Sequence, residues 1–162
     1  MDDTALLGAS QYLETSFGLK VGMPPVVDFD KEKAVQSACR EAIRDGLLDV
    51  AHDCSDGGLA VALAEMCIAG GVGAQVKLDE IHERHRHMRS DVILFSEDPS
   101  RIIVGIPQDK VGQLEGKAAS LGARLVRLGV TGGNNVTFSR EHRDVVDLLV
   151  TEIGAAWRDG LG

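Results

Sequence analysis

An almost entirely apolar stretch between two pairs of glycines constrains the fold of this chain most. Residues 59–69 carry a single charged side chain, Glu65, and lie between Gly57-Gly58 and Gly70-Gly71. A helix at a protein surface shows polar side chains along one face, so this composition predicts a helix that is buried on most of its sides. The rest of the chain must therefore supply a sheet or further helices that cover it.

Helical and strand patterns alternate along the sequence. Asp28 or Asp30 can cap a helix over residues 31–45, whose apolar residues fall on one face. A β-branched run predicts a buried strand over residues 101–106. The same patterns predict further helices over 90–95 and 108–121, a C-terminal helix with a stripe of Val145, Leu148, Leu149, Ile153 and Trp157, and further strands over 48–51, 74–78, 124–130 and 136–139. Single strands between helices predict an α/β (α+β) fold, a mixed β-sheet with helices packed on it in β-α-β-β-α-β order.

The N-terminal residues differ from the rest of the chain. Residues 10–17 predict a short helical piece, and Pro24-Pro25 predicts an extended connector. We expect residues 1–27 to be a lead-in segment or linker from a preceding domain, and residues 28–162 to form a single domain. Apolar side chains in the lead-in segment have few neighbours to cover them, which predicts either self-association or mobility.

Charge and cysteine content exclude several classes of protein. The 162 residues carry 25 acidic and 17 basic side chains, a formal charge of −8, which argues against binding to nucleic acid or to an anionic membrane. The 3 cysteines lack a CxxC spacing, so neither a disulfide framework nor a zinc knuckle is indicated. Without a signal-peptide pattern or an apolar run of about 20 residues, we expect a cytoplasmic protein.

The turn before the apolar helix is the strongest candidate site. Adjacent glycines let a ligand approach the backbone closely, and a helix N-terminus attracts phosphate. Asp53 and Asp56 offer the hard oxygens that Mg²⁺ prefers. In the alternative interpretation Ser55 or Asp56 simply caps the helix, and the glycines relieve packing. The candidates for phosphate or nucleotide binding are His52, Asp53, Ser55, Asp56, Gly57, Gly58 and Arg101.

Other polar residues carry weaker signals. His82, His85 and His87 lie among charged residues, which favours a solvated loop over a metal site. Glu65 is either a satisfied residue at the edge of the core or a ligand contact. Cys54 lies beside two carboxylates, which raise the pKa of a thiol, so a nucleophilic role is not expected. We predict no catalytic residue in this chain.

Several segments resemble a known family. The run Ala51–Glu65 (AHDCSDGGLAVALAE) closely resembles a strand–loop–helix motif in the last domain of phosphoribosylformylglycinamidine synthase, synthetase subunit, of the aminoimidazole ribonucleotide synthetase-like superfamily. Residues 7–13 resemble the segment that leads into that domain. Leu94–Arg101 (LFSEDPSR) resembles its LFGES-type strand entry, and the region of Ala156-Trp157 resembles its C-terminal end.

The resemblance implies a ferredoxin-like core and a place in purine biosynthesis. It implies that the full-length protein is an ATP-dependent ligase that uses ATP and Mg²⁺ to amidate formylglycinamide ribonucleotide to formylglycinamidine ribonucleotide. This domain would be mainly scaffold and interface, with an auxiliary nucleotide site, and inactive alone. Through the family's pseudo-repeat, Asp53 corresponds to a magnesium-binding aspartate, and Glu97 and Arg101 to a substrate-contacting stretch. The candidate Mg²⁺ ligands are thus Asp53, Asp56 and Glu97.

The resemblance also implies partners and leaves an alternative. The expected partners are the preceding domains of the same polypeptide, a glutaminase subunit and a small accessory subunit. The alternative is a nucleotide-binding or interaction domain of another superfamily member, similar to thiamine-monophosphate kinase or selenophosphate synthetase, without chemistry of its own. Those relatives carry shorter or altered glycine motifs, so the run 51–65 favours the first assignment.

Overall fold

The computed structural model describes residues 6–81 and 88–160, which form six helices and six strands besides short 3₁₀ turns. In chain order these elements are α1 (Gln11–Phe17), α2 (Phe29–Arg44), β1 (Val50–Asp53), α3 (Gly58–Gly70), β2 (Ala74–Lys77), α4 (Ser90–Phe95), β3 (Ile102–Gly105), α5 (Val111–Ser120), β4 (Gly129–Thr131), β5 (Asn135–Arg140), β6 (Arg143–Leu149) and α6 (Val150–Asp159). Short 3₁₀ turns lie at Leu78–Glu80 and Gln108–Lys110.

Local signals account for α2. One carboxylate oxygen of Asp28 accepts hydrogen bonds from the backbone N–H groups of Asp30 and Lys31, each at 3.0 Å. This arrangement satisfies two of the donors that a helix leaves free at its N-terminus. Ala38 and Ala42 are buried on the inner face of the helix, so the predicted cap and apolar face are both confirmed.

The strands form two sheets. β1 and β3 pair antiparallel in a two-stranded sheet, and the other sheet has the order β4-β2-β5-β6, in which only β2 and β5 are parallel. The α/β class, with helices and mixed strands, is confirmed. The expected β-α-β-β-α-β order occurs along the chain, with β1, β2, β3 and β4 as its strands. However, β1 pairs with β3 in one sheet, and β2 pairs with β4 in the other.

Helix α3 lies at the centre of the larger core. Its buried residues Leu59, Ala62, Leu63 and Cys67 belong to a cluster with β2, α4, β3 and β5. Phe138 of β5 is 1% exposed within this cluster. The prediction that residues 59–69 form a helix covered on most sides is therefore confirmed. No helix within the two described ranges has the length and apolar character needed to cross a membrane.

The C-terminal region corrects one prediction. Val145, Leu148 and Leu149 lie on strand β6, so their assignment to the C-terminal helix was wrong, and only Ile153 and Trp157 lie on α6. Glu141 and His142 have φ values of 50° and 63°, and this left-handed pair reverses the chain between β5 and β6. Apolar residues three and four apart fit a helical stripe, yet the reversal and the pairing with β5 impose a strand.

The strand predicted over residues 124–130 is also shorter than expected. Only Gly129–Thr131 forms β4, where it pairs with β2. A Cβ at Gly129 would overlap the carbonyl oxygen of Gln75. The close contact between these strands thus depends on glycine, which alternation of side chains does not reveal.

Residues 6–27, the described part of the expected lead-in segment, contact the rest of the chain through Leu7 and α1. Leu7 is buried, the Tyr12 ring stacks on Phe95 with ring centroids 4.6 Å apart, and the Tyr12 hydroxyl donates to Asp91 at 3.4 Å. Burial, with the Asp91 charge as the second cause, raises the pKa of Tyr12. The connector that comes after α1 is exposed at its apolar side chains, including Met23 and Val26.

Candidate functional site

The candidate turn connects the end of β1 to the start of α3. The antiparallel pairing of His52 with Ile103 and of Asp53 with Ile102 fixes where β1 ends. Gly57 and Gly58 then adopt left-handed φ values of 76° and 65°, which turn the chain into the helix. Residues other than glycine rarely adopt such backbone angles, so the glycine pair determines the geometry of this turn.

The second glycine is required by the protein's own packing. A Cβ at Gly58 would lie 2.5 Å from the carbonyl oxygen of Ser96 and 2.9 Å from that of Leu94. The backbone at the end of α4 therefore lies against the turn. Of the two interpretations of the glycines, the structure supports the packing role.

Glu97 lies at the N-terminus of α3. Its Oε1 atom accepts a hydrogen bond from the backbone N–H of Gly57 at 2.8 Å. The same oxygen accepts one from the N–H of Gln11, the first residue of α1, at 2.9 Å. A carboxylate thus lies where the sequence suggested a phosphate, since a helix N-terminus stabilises negative charge.

The expected local cap is absent. The N-cap position of α3 is Gly57, which has no side chain, and the Ser55 hydroxyl donates to a carboxylate oxygen of Asp53 instead. Ser55 bonds to the start of the helix through its backbone carbonyl, which accepts from the N–H of Gly58 at 3.0 Å. The interpretation that Ser55 or Asp56 caps α3 was therefore wrong.

His52 connects the strand to the helix. Its Nδ1 lies 2.7 Å from the carbonyl oxygen of Asp53, and because a carbonyl can only accept, this nitrogen carries the hydrogen. Its Nε2 lies 3.4 Å from a carboxylate oxygen of Glu65. Because Nδ1 already carries a hydrogen, this contact is an ion pair only when both ring nitrogens are protonated, and Glu65 itself lies half-buried at the edge of the core.

The exposed carboxylates of the turn are Asp53 and Asp56. The hydrogen bond from Ser55 holds the pKa of Asp53 below its usual value. Glu97 and Glu65 lie nearby in the fold, and the one named guanidinium close to the turn, that of Arg101, donates to carbonyls of its own loop. A bare phosphate would meet repulsion here.

Arg101 is engaged with its own loop. Its Nε donates to the carbonyl of Asp98 at 3.2 Å, and a terminal nitrogen donates to the carbonyl of Ser96. Ser100 of the same loop donates to Glu32 of α2 at 2.5 Å. The loop 96–101 thereby joins α1, α2 and α3, and the guanidinium of Arg101 stabilises it from within.

The suggested magnesium ligands do not form a cluster. Glu97 is bonded to two N–H groups, and within residues 6–81 and 88–160 no group of three His, Cys, Asp or Glu side chains is placed to hold a metal ion. The residues present do not fit a preformed magnesium site. His82, His85 and His87 lie outside the described residues.

The turn also lacks an activated nucleophile. Burial raises the pKa of the Cys54 thiol by more than the nearby Arg101 charge lowers it, so the thiol stays protonated near neutral pH. Ser55 is bonded to Asp53, whose lowered pKa makes it a poor general base.

A family comparison identifies the domain. A sequence model of the family described as "AIR synthase related protein, C-terminal domain" matches residues 4–140. The chain belongs to this family. The match includes α1, the glycine turn and the loop 96–101.

Individual relatives of this AIR synthase related domain share one name. Phosphoribosylformylglycinamidine synthase subunit PurL of Anaeromyxobacter sp. (strain Fw109-5) is 44% identical over 159 residues, which is 96% of this chain and 20% of that protein. Structures of Thermotoga maritima PurL complexed with FGAR and with ATP each match with a TM-score of 0.71 and 26% identity, over 80% of this chain and 22% of theirs. The structure of PurLQS from Thermotoga maritima matches with a TM-score of 0.70 and 26% identity, over 91% of this chain and 24% of that one. The chain spans about a fifth of the length of the curated relatives it matches.

Sequence reasoning missed the role of Glu97 in this AIR synthase related domain. It placed Glu97 among the magnesium ligands, whereas the structure places its carboxylate on two helix N-termini. One signal was available in the sequence. A helix that starts at a glycine pair has no side chain of its own at the N-cap, so its cap must come from elsewhere in the fold.

Proposed function

We propose that this chain serves as the C-terminal domain of an ATP-dependent ligase that converts formylglycinamide ribonucleotide to formylglycinamidine ribonucleotide in purine biosynthesis. The observation that carries the proposal is the 44% identity to a PurL subunit over 96% of this chain. Because the chain corresponds to about a fifth of that protein, the reaction belongs to the longer polypeptide.

Within that polypeptide, the proposed role is scaffold and interface. The polar residues of the turn are bonded to one another and to neighbouring backbone, which supports a structural role for them. The connector and the first residue of α2 expose apolar side chains, with Met23 at 81%, Val26 at 91% and Phe29 at 80% exposure. Exposed apolar side chains grouped in one segment favour an interaction surface, and we assign it to the preceding domains of the same polypeptide.

Cofactors and partners follow from the same assignment. The complex of Thermotoga maritima PurL with ATP supports ATP as the nucleotide of the longer protein. We take Mg²⁺ to be its companion cation because a divalent cation bridges carboxylate and phosphate oxygens. The PurLQS structure supports partner subunits, which we take to be a glutaminase subunit and a small accessory subunit. A cytoplasmic location fits this biosynthetic role.

An auxiliary nucleotide site at the turn stays a prediction. His52, Asp53, Ser55 and Asp56 are reachable from solvent, whereas the glycines are buried and Arg101 is bonded to its own loop. Since acidic groups surround the turn, we expect any ATP binding by this chain to be weak and dependent on Mg²⁺. Calorimetry with ATP and Mg²⁺, then with a chelator, tests this, and Asp53→Asn should abolish the signal. Equal binding without Mg²⁺ would contradict it.

A domain exchange tests the main proposal. The matching region of the Anaeromyxobacter PurL is replaced by this chain, and product formation is measured with ATP, formylglycinamide ribonucleotide and ammonia. We expect activity in this chimera, inactivity in a chimera carrying Gly58→Val, and no ATP hydrolysis by the 162-residue chain alone. A folded chimera without activity would contradict the assignment and favour another member of the superfamily.

A further inference from the structure

We propose that Glu97 couples two parts of the fold, the docking of α1 and the closure of the glycine turn before α3. The inference does not depend on the proposed function. It predicts that a change in the position of α1 alters the candidate turn, although Gln11 and Gly57 are far apart in sequence.

The first observation is that both bonds end on one atom. Glu97 Oε1 accepts from the N–H of Gln11 at 2.9 Å and from the N–H of Gly57 at 2.8 Å. A carboxylate oxygen has two lone pairs, so it can accept both bonds at the same time. Gln11 is the first residue of α1 and Gly57 is the N-cap of α3, and the partial positive charge at a helix N-terminus stabilises a carboxylate.

The second observation is that the two donors have no equivalent local acceptor. The turn before α3 supplies no side-chain cap, and the cap of α1, Ser10, accepts from Leu13 rather than from Gln11. If Glu97 moves away, the N–H groups of Gln11 and Gly57 both lose the acceptor that the fold provides.

Coupling follows from the entropy of the Glu97 side chain. Fixing this side chain costs conformational entropy, and the first hydrogen bond must offset that cost. The second bond then forms with an oxygen that is already in place, so each bond makes the other more favourable. Release of α1 should therefore loosen the turn.

The loop that carries Glu97 is itself held in place. The carbonyls of Leu94 and Ser96 lie against Gly58, and Arg101 bonds to the carbonyls of Ser96 and Asp98. Because this backbone is fixed against α3, the loop cannot shift to compensate when the Glu97 carboxylate moves, so the hydrogen bond to the turn is lost.

Amide hydrogen exchange of the 162-residue chain, followed by NMR, tests the coupling at Gln11 and Gly57. In Glu97→Ala we expect exchange at both amides to rise about tenfold or more, because both charge-assisted bonds are lost. In Glu97→Gln the amide oxygen can still accept both bonds without the charge, so the rise at both positions should be smaller. If the alanine variant unfolds, the glutamine variant still tests the proposal.

The decisive variant is Gln11→Pro. Proline suits the first position of a helix, it removes the N–H that Glu97 accepts, and its ring carbon on the nitrogen keeps the carboxylate oxygen from returning to that position. Ser10 already has the extended backbone that a residue before proline requires. We expect exchange at Gly57 to rise about threefold or more although Gly57 itself is unchanged.

Glu14→Gln is the matched control. Glu14 lies on α1 and pairs with Lys20 at 2.7 Å, and it makes no bond to Glu97. Its replacement should leave Gly57 unchanged. The proposal is overturned if Gln11→Pro leaves exchange at Gly57 unchanged or slows it, or if Glu14→Gln accelerates it equally, since either result would make the two bonds independent of a shared carboxylate.

Discussion

At the N-termini of both α2 and α3, a single carboxylate oxygen accepts two backbone N–H groups. The carboxylate is close to its helix in sequence at α2 and distant from it at α3. At α2 the oxygen belongs to Asp28, and both donors lie within the next three residues. At α3 the oxygen belongs to Glu97, and its second donor lies on α1. The first cap is local, whereas the second joins three segments of the chain.

The two helices also differ in what surrounds them. α2 buries one face and leaves residues such as Ile43 exposed, while α3 is covered by strands of both sheets and by α4. A helix with a free face can carry its cap in its own sequence. A helix surrounded by other elements can be capped by one of them, which ties its start to the tertiary fold. Substitutions in the two helices test this contrast.

The largest effect is expected at the glycine that starts α3. Gly58→Ala should destabilise the protein by about 4 kcal/mol, because the new Cβ meets backbone oxygens that cannot move aside and the left-handed angle is strained. Gly46, just after α2, has a nearly identical φ of 66°, but no atom lies within 4 Å of the position that a Cβ would take there. Gly46→Ala should therefore cost only about 1–2 kcal/mol. Urea unfolding measures both, and equal losses would contradict the packing argument.

The next effect concerns burial along the two helices. Leu63 of α3 is 6% exposed, and Leu63→Ala should cost about 3 kcal/mol in the free energy of unfolding. Ile43 of α2 is 55% exposed, and Ile43→Ala should cost less than about 1 kcal/mol. Thermal unfolding of the pair checks the difference. A similar loss in both variants would show that α3 is not the central helix of the core.

A smaller effect is expected at the local cap. Asp28→Ala should cost about 1 kcal/mol, and Asp28→Asn, which keeps an acceptor oxygen, should cost little. Hydrogen exchange should quicken only in the first turn of α2. If the change reached Gly57, the cap of α2 would not be local, and the contrast between the helices would fail.

The smallest effect concerns pH. The hydrogen bond from Ser100 is the main cause that holds the pKa of Glu32 below its usual value. A carboxyl whose pKa is lowered by folding stabilises the fold above its usual pKa, and this contribution is lost as the pH falls through the lowered value. Ser100 has a φ of 63°, so Ser100→Gly removes the hydroxyl without adding backbone strain. NMR titration of Glu32 should then give a pKa closer to the usual value, and an unchanged pKa would assign the shift to Gln36.

The fold could be predicted from sequence wherever the signal was local. The cap at Asp28, the apolar face of α2, the buried α3 and the short helix over 90–95 were all found, because each depends on neighbours in the chain. The pairing of strands into two sheets was not found. Alternation of side chains shows that a strand has a buried face, but not which strand lies beside it.

The sequence by itself determined the family, the helical and strand segments and the position of the glycine turn, since these follow from residue order, apolar periodicity and backbone angles that only glycine adopts readily. The tertiary structure alone decided what the turn contacts. Gly58 faces the carbonyls of Leu94 and Ser96, and Glu97 bonds to two helices instead of joining Asp53 and Asp56. The physical reason is that a carboxylate binds whichever donors the fold brings within reach, and chain folding brought two helix N-termini to Glu97.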